Sequence, residues 1–178
     1  MSNLPDRQHP VNDSRSIPGR PGSKPHRARR TPAGDAFSGL VTRIFRLNGL
    51  LAAEGDALAR PAGQTSARWQ VLAMIENGPA TVAQTARTLG LARQSVQRVA
   101  DVLEADGLVA YADNPSHRRA RLVGLTEEGR AVLSAIQAAQ RPWADAIGKA
   151  VGAADLRTAT DILDRLLEGM TAHRGRGT

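Results

Sequence analysis

The spacing of apolar residues predicts that most of this chain is helical. From Ala36 onward, apolar side chains recur every three or four residues, as on one stripe of a helix that ends before Pro61. The residues of this stripe are Phe37, Leu40, Val41, Ile44, Leu47 and Leu51. A second helix carries Trp69, Leu72 and Ile75, and it ends at Asn77-Gly78-Pro79 because this tripeptide is a strong stop signal.

Two further helices follow, separated by a short turn. Thr81 and Gln84 have the spacing of a capping box, which predicts the start of a short helix that Gly90 ends. A longer helix is predicted from about Ala92 to Ala105, and Gly107 suits the left-handed position just after it. The pattern is therefore that of a helix-turn-helix.

The rest of the chain predicts a hairpin and two more helices. Segments 108–111 and 121–125 have strand composition, and the turn-forming residues between them indicate a hairpin with a long loop. Thr126 caps the next helix, which Pro142 is expected to kink or split. Apolar residues in the last helix alternate at spacings of three and four, a pattern typical of helices that pack on other helices: Leu156, Ala159, Leu163, Leu166 and Met170.

Residues 1–34 differ in composition from the remainder. They contain six prolines and three glycines, with seven basic residues against two acidic ones. Because few apolar side chains offset the entropy of ordering, we predict a disordered basic tail. Such a tail either contacts DNA phosphates or only keeps the protein soluble. The tail holds +5 of the net charge of +7, so the charge of the whole chain says little about residues 35–178.

Several classes of protein are disfavoured by what the sequence lacks. There is no cysteine, no apolar stretch near the roughly 18 residues of a membrane span, and no secretory h-region, so we expect a cytoplasmic protein. There is also no Gly-rich phosphate loop and no nucleophile elbow. None of the histidines has metal-ligand spacing with another: His9, His26, His117 and His173. We therefore expect no enzyme activity, no metal and no cofactor.

The helix at 92–105 has the polarity of a DNA recognition helix. One face is predicted to be buried, with Val96, Val99, Val102 and Leu103. The opposite face carries, near the helix N-terminus, side chains of the types that bond to base edges: Arg93, Gln94, Gln97 and Arg98, with Ser95 at the margin of this face. A recognition helix enters the major groove by its N-terminal residues. The alternative is an ordinary solvated face.

Arginines in the following hairpin favour DNA binding over that alternative. Arg118, Arg119 and Arg121 lie at or beside the hairpin loop, and no acidic residue occurs from Asn114 to Val123. Arginine at such a tip contacts phosphates or enters the minor groove. The order of helix-turn-helix, hairpin and helix is that of a winged helix-turn-helix. We therefore predict that the recognition helix and the wing bind double-stranded DNA together.

These motifs resemble the MarR family of bacterial regulators over about residues 36–172. The resemblance is carried by Leu89-Gly90-Leu91, by the run from Val102 to Val109, and by the wing-to-helix segment from Asn114 to Arg130. The family's wing commonly contains Asp-Pro-x-Asp-Arg-Arg, followed by Leu-Thr-x-x-Gly. Here Asn114 and His117 replace the two aspartates, so the acid that helps hold a wing arginine in the family is missing.

The resemblance implies a mainly α fold with a small β-hairpin wing. Segments 35–62 and 127–172 are then dimerisation helices, 63–126 is the DNA-binding lobe, and 173–178 is a flexible end. It also implies a homodimeric transcriptional regulator that binds a pseudo-palindromic operator, and either repression, which we favour, or activation. The resemblance further implies that a small ligand, aromatic or phenolic, or oxidation relieves this regulation; without cysteine, a thiol-oxidation sensor is excluded. Carried over by position, the recognition-helix residues are Arg93, Gln94, Ser95, Gln97 and Arg98, and the wing arginines are Arg118 and Arg119.

A ligand pocket and two other functions remain open from the sequence. Arg46, Trp69, Gln70 and Trp143 are candidate pocket residues, although the tryptophans are otherwise explained as core and Arg46 as solvated. Winged helices also serve as protein-interaction modules, and a basic tail also suits a sequence-independent architectural DNA binder. Convergence of arginines from the recognition helix and the wing on one face favours DNA over a protein partner.

Overall fold

The structure is a computed structural model that describes residues 30–117 and 119–176. Most of the predicted tail, and Arg118 of the wing, lie outside the described residues. The elements in chain order are α1 (Pro32–Ala59), a 3-10 turn (Arg60–Ala62), α2 (Ser66–Met74), β1 (Ala80–Thr81), α3 (Val82–Leu89), α4 (Arg93–Ala105), β2 (Val109–Ala112), β3 (Leu122–Leu125), α5 (Glu127–Val151) and α6 (Ala153–Gly175). The predicted mainly helical fold with a hairpin wing is confirmed.

The chain divides into two units, residues 1–41 and 42–178. In the first unit, α1 begins at Pro32, slightly before the predicted end of the tail at residue 34. Proline fits the first helical position because its missing N–H has no partner there in any helix. The backbone N–H of Gly34 donates to Thr31 Oγ1 at 3.1 Å, so Thr31 also caps this helix start.

Threonine side chains fix the starts of three helices in the second unit. Thr65 and Thr126 accept hydrogen bonds from backbone N–H groups in the first turns of α2 and α5. The predicted capping box is present at α3, where Gln84 N donates to Thr81 Oγ1 (3.2 Å) and Thr81 N donates to Gln84 Oε1 (2.8 Å). Gly90 ends α3 in the left-handed conformation, with φ of 66°, and so sets the turn into α4.

A small antiparallel sheet with strand order β1-β3-β2 supports the wing. In the predicted hairpin, Val109 pairs with Leu125 and Ala112 pairs with Leu122. β1 was not predicted. It is only two residues long, and Ala80 and Thr81 pair with Val123 and Leu122 as the chain enters α3.

The core of the second unit fills the space between α2, α4, α5 and the sheet. Leu72, Leu103 and Leu133 are at most 2% exposed. The predicted buried face of α4 is correct for Val96 and Leu103, but it is wrong for Val102, which is 44% exposed. Val96, Ala100 and Leu103 follow the spacing of four and three that keeps one stripe against the core, and Val102 lies at the side of this stripe.

Polar contacts join the helices that flank this core. An ion pair of 2.6 Å links Arg68 in α2 to Asp106 at the end of α4. The start of α5 is bound to the turn after α4, because Thr126 N donates to Leu108 O (3.1 Å) and Thr126 Oγ1 donates to Gly107 O (2.8 Å). These contacts attach the end of α4 to α2, and they attach the turn between α4 and the wing to α5.

The two C-terminal helices differ from the prediction at two points. α6 continues to Gly175, into the segment predicted to be a flexible end from residue 173. α5 continues through Pro142 without a split. Proline removes one intrahelical hydrogen bond, to the carbonyl of Ala138, and Ala138 is exposed, so water can satisfy that carbonyl. α6 has no buried residue and exposes apolar side chains that include Leu163 (42%) and Leu167 (64%). No helix in the described ranges is long and apolar enough to cross a membrane.

Candidate nucleic-acid interface

The N-terminal end of α4 presents unpaired polar side chains to solvent. Arg93, Gln94 and Arg98 are exposed, and their side chains form no hydrogen bond or ion pair with another described residue. Ser95 beside them is half-buried. Ala92 precedes the helix and provides no side-chain cap, unlike the threonines before α2, α3 and α5. Free N–H groups, the helix dipole and Arg93 therefore make this end attractive to a phosphate.

Gln97 lies on the same helix but is already engaged. Its Nε2 donates to Asp101 Oδ1 at 2.7 Å and to the Tyr111 hydroxyl at 2.8 Å. The Tyr111 hydroxyl donates in turn to Asp101 Oδ1 at 2.9 Å. These three side chains, here called the Gln97 triangle, connect the recognition helix to strand β2 of the wing.

The described wing arginines are positioned differently from each other. Arg119 is exposed and forms no hydrogen bond with another described residue. Arg121 is held on the hairpin, because its Nη2 donates to Tyr111 O at 2.9 Å and its guanidinium carbon lies 4.9 Å from the centre of the Tyr111 ring. Arg119 is therefore not held by another described residue, whereas Arg121 stabilises the base of the wing.

A cleft of about 270 Å³ separates α4 from the wing. Arg93 of the helix and Arg119 and Arg121 of the wing supply basic groups to its lining, whereas Asp101 and Glu104 supply acidic groups. Asp101 and Glu104 come from the second half of α4, away from the uncapped N-terminus. The basic groups of the cleft therefore come from the start of α4 and from the wing, and the acidic groups come from the second half of α4.

The pKa of Tyr111 offers a direct test of the Gln97 triangle. Burial, followed by the hydrogen bond to Asp101, raises the pKa of Tyr111 from 10.0 to about 12. Tyr111 is the only tyrosine of the chain, so ultraviolet absorbance follows its ionisation directly. We expect a midpoint near pH 12. Asp101→Ala should lower it clearly, and Glu104→Ala should lower it less, because Glu104 acts only through its charge.

The same shift predicts how the folded state responds to base. The folded-state pKa lies above the unfolded value, so the stabilisation is complete below pH 10.0 and is lost as the pH rises toward about 12. Circular dichroism should be recorded alongside to show that the chain is still folded during the titration. A wild-type midpoint near 10 in folded protein would contradict the triangle.

A second cavity, of about 400 Å³, lies between α1, α2 and α5. Three of the four predicted pocket residues line it: Trp69, Gln70 and Trp143. Arg46 does not line the cavity. The lining residue nearest to it in α1 is Leu51, five positions later, and a separation of five residues places Arg46 on a different side of the helix. None of the described residues that line this cavity carries a charge; the polar ones are Ser66, Gln70, Gln137 and Gln140.

Comparison with known proteins identifies the fold's relatives. The model of the MarR family matches residues 62–120, which span the end of the 3-10 turn to the wing loop. An uncharacterized protein of Mycobacterium tuberculosis is 41% identical over 140 residues, which cover 79% of this chain and 98% of that protein. The chain belongs to the MarR family.

Two further comparisons place this MarR-family chain beside regulators. The transcriptional activatory protein BadR of Rhodopseudomonas palustris is 29% identical over 134 residues, covering 72% of this chain and 75% of BadR. The M. tuberculosis transcriptional regulator MOSR, solved in complex with DNA, superposes with a TM-score of 0.62 at 25% identity, covering 73% of this chain and 96% of MOSR.

The wing of this MarR-family chain is stabilised without the acid that the family resemblance leads one to expect. Asn114, in the place of the first aspartate, accepts a hydrogen bond from Ser116 N (3.0 Å) and forms a turn. His117, in the place of the second, is exposed. The contacts of Arg121 with Tyr111 brace the wing base instead.

Sequence reasoning singled out neither Tyr111 nor Asp101 as a partner of Gln97. A signal was present, because Gln97 and Asp101 are four residues apart on one helix face, where side chains of a helix meet. The position of Tyr111 against them depends on how the hairpin packs on α4, and this cannot be deduced from spacing along the chain.

Proposed function

We propose that this chain is a sequence-specific, DNA-binding transcriptional regulator that acts as a homodimer on a pseudo-palindromic operator. The observation that carries the proposal is the unpaired basic surface formed by the uncapped start of α4 and the wing. Arg93, Gln94, Ser95 and Arg98 are assigned to the major groove, and the wing arginines Arg118 and Arg119 to the flanking backbone. We further propose that the protein acts as a repressor, by covering promoter DNA.

Selection of duplexes from a randomised pool tests sequence-specific binding, because every possible operator sequence is represented in the pool. The selected site should contain two half-sites whose centres are about 34–36 Å apart, one helical turn, if each subunit places α4 in a major groove. Affinity for that site should fall steeply with salt as counterions are released. Recovery of no shared sequence, with binding that any duplex competes away, would instead support an architectural protein.

Matched arginine variants separate base contacts from backbone contacts. Arg93→Ala should reduce the preference for the selected site over a shuffled duplex by about tenfold, whereas Arg119→Ala should weaken binding to both duplexes alike. Arg157→Ala removes the same charge from an exposed position of α6, a helix that contributes no residue to the cleft between α4 and the wing, and serves as the control. Equal loss on both duplexes for Arg93→Ala would remove its role as a base reader.

We also propose that a small aromatic effector binds in the cavity between α1, α2 and α5. A volume of about 400 Å³ and two tryptophans suit an aromatic ring, and the amide and hydroxyl groups suit a hydroxyl or carbonyl substituent. Because no charged side chain lines this cavity among the described residues, we assign it to an uncharged phenolic compound rather than to an aromatic carboxylate.

Intrinsic fluorescence tests this assignment, since both tryptophans of the chain line the cavity. We expect para-hydroxybenzamide to change the tryptophan emission at concentrations at least about tenfold lower than para-hydroxybenzoate, because the carboxylate would lose hydration without gaining a counter-ion. The two ligands have nearly the same shape, so each controls for the other. Equal response to both, or to neither, would rule out the assigned ligand class.

A further inference from the structure

We propose that Asp101 and Tyr111 orient the amide of Gln97 so that only its carbonyl oxygen is available to DNA. The inference rests on the proposed function, because it concerns how one recognition-helix residue contacts a base. It makes Gln97 a reader that accepts hydrogen bonds but does not donate them. Asp101 and Tyr111 are then positioning residues that help to determine which base is preferred.

The orientation of the amide follows from the protons of its two partners. An ionised Asp101 carboxylate has no proton, so the Gln97 atom 2.7 Å from Asp101 Oδ1 has to be the amide nitrogen. The only hydroxyl proton of Tyr111 is directed to the same carboxylate oxygen, so toward Gln97 this hydroxyl accepts as well. A flipped amide would place its oxygen against two acceptors.

The partners also favour this arrangement energetically. The bond from Gln97 to Asp101 is charge-assisted, and such bonds are roughly twice as strong as those between neutral groups. Gln97 is half-buried, so its side chain has less freedom to leave the triangle than the exposed Gln94. Oε1, on the opposite side of the amide carbon from Nε2, is the atom left for a base.

A glutamine side chain that can only accept hydrogen bonds distinguishes bases differently from one whose amide can both donate and accept. A free glutamine recognises adenine by two bonds, donating to N7 and accepting from N6. With its nitrogen engaged by Asp101 and Tyr111, Gln97 retains only the second of these bonds. In the major groove, adenine N6 and cytosine N4 donate, whereas guanine and thymine present acceptor oxygens there. We therefore expect Gln97 to prefer adenine or cytosine over guanine or thymine at one position of each half-site.

The test compares the base preferences selected by the full-length protein and three variants. Gln97→Ala should abolish the preference for adenine or cytosine at that position and leave the other positions unchanged. Asp101→Ala should free the amide to rotate, so that adenine becomes favoured over cytosine by about tenfold. Glu104→Ala is the matched control, because Glu104 is an equally charged, exposed residue that lines the same cleft but lies outside the triangle.

Each outcome has a defined meaning. Wild-type protein that selects no sequence would refute the proposed function itself. Selection of a defined site whose base preferences are unaltered by Gln97→Ala, or in which Asp101→Ala accepts adenine and cytosine as the wild type does, would overturn this inference alone. Asp101 is exposed, so its truncation opens no core cavity, and circular dichroism should confirm that the variant folds like the wild type.

Discussion

Gly129→Ala is expected to lower the free energy of unfolding by more than about 3 kcal/mol, which exceeds the usual cost of overpacking. A Cβ built on Gly129 overlaps the backbone carbonyl of Leu108 and lies 3.2 Å from Leu125 Cδ2. The Leu108 carbonyl cannot move aside easily, because it accepts the hydrogen bond from Thr126 N that fixes the start of α5. The added methyl group therefore forces α5 away from the turn between α4 and the wing.

Denaturant unfolding followed by circular dichroism measures this effect. Gly148→Ala provides a matched control in the same helix, because nothing lies within 4 Å of a Cβ at that position. That control should be more stable than the wild type by about 0.5–1 kcal/mol, since alanine is the better helix former. If both variants were to unfold at the wild-type midpoint, Gly129 of α5 could not lie as close to the Leu108 carbonyl as described here.

A pair of glutamates in α6 is expected to dissociate the proposed dimer. The double variant Leu163→Glu, Leu167→Glu places two charges on an apolar face that also includes Leu156, Ile162 and Met170. Exposed apolar patches of this kind mark interaction surfaces, and burying unpaired carboxylates there is costly. Because a monomer has only one half-site contact, we expect affinity for the selected DNA site to fall by at least about a hundredfold.

Sedimentation of the variants and titration of their DNA binding test this prediction. Ala172→Glu is the control, because it introduces the same side chain on the opposite face of α6, at an exposed position. We expect it to leave the dimer intact, whereas the double variant should sediment as a monomer with unchanged helix content. A double variant that remains dimeric would exclude this face of α6 as the dimer interface.

Local sequence signals predicted the helix starts and stops well, because the interactions that determine them lie within a few residues. The capping box of Thr81 and Gln84 and the left-handed Gly90 are such cases, and both are observed. The structure also gives a reason for Gly129 in the motif Leu125-Thr126-Glu127-Glu128-Gly129, for which the sequence offered only a resemblance. Thr126 bonds to Gly107 and caps α5, and only glycine at 129 allows the approach to Leu108.

Features that depend on packing between distant segments were not predictable in this way. β1 exists because β3 lies beside Ala80 and Thr81, not because those two residues favour a strand. Val102 is apolar and has nearly the right spacing for burial, yet Ala100 occupies the stripe that contacts the core. Gln97 has the side chain of a base reader, but the hairpin brings Tyr111 close enough to hold its amide nitrogen.

Three consecutive residues of α2 contact different parts of the molecule. Arg68 pairs with Asp106 at the end of the recognition helix, while Trp69 and Gln70 line the cavity assigned to the effector. Substitutions of Trp69 or Gln70 that adapt the cavity to a new ligand would therefore be made next to the residue that supports α4. Linkage requires that any effect of such a ligand on DNA affinity be matched by an equal effect of DNA on ligand affinity. Attempts to convert this protein into a biosensor for another compound should accordingly select for ligand response and DNA affinity in the same screen.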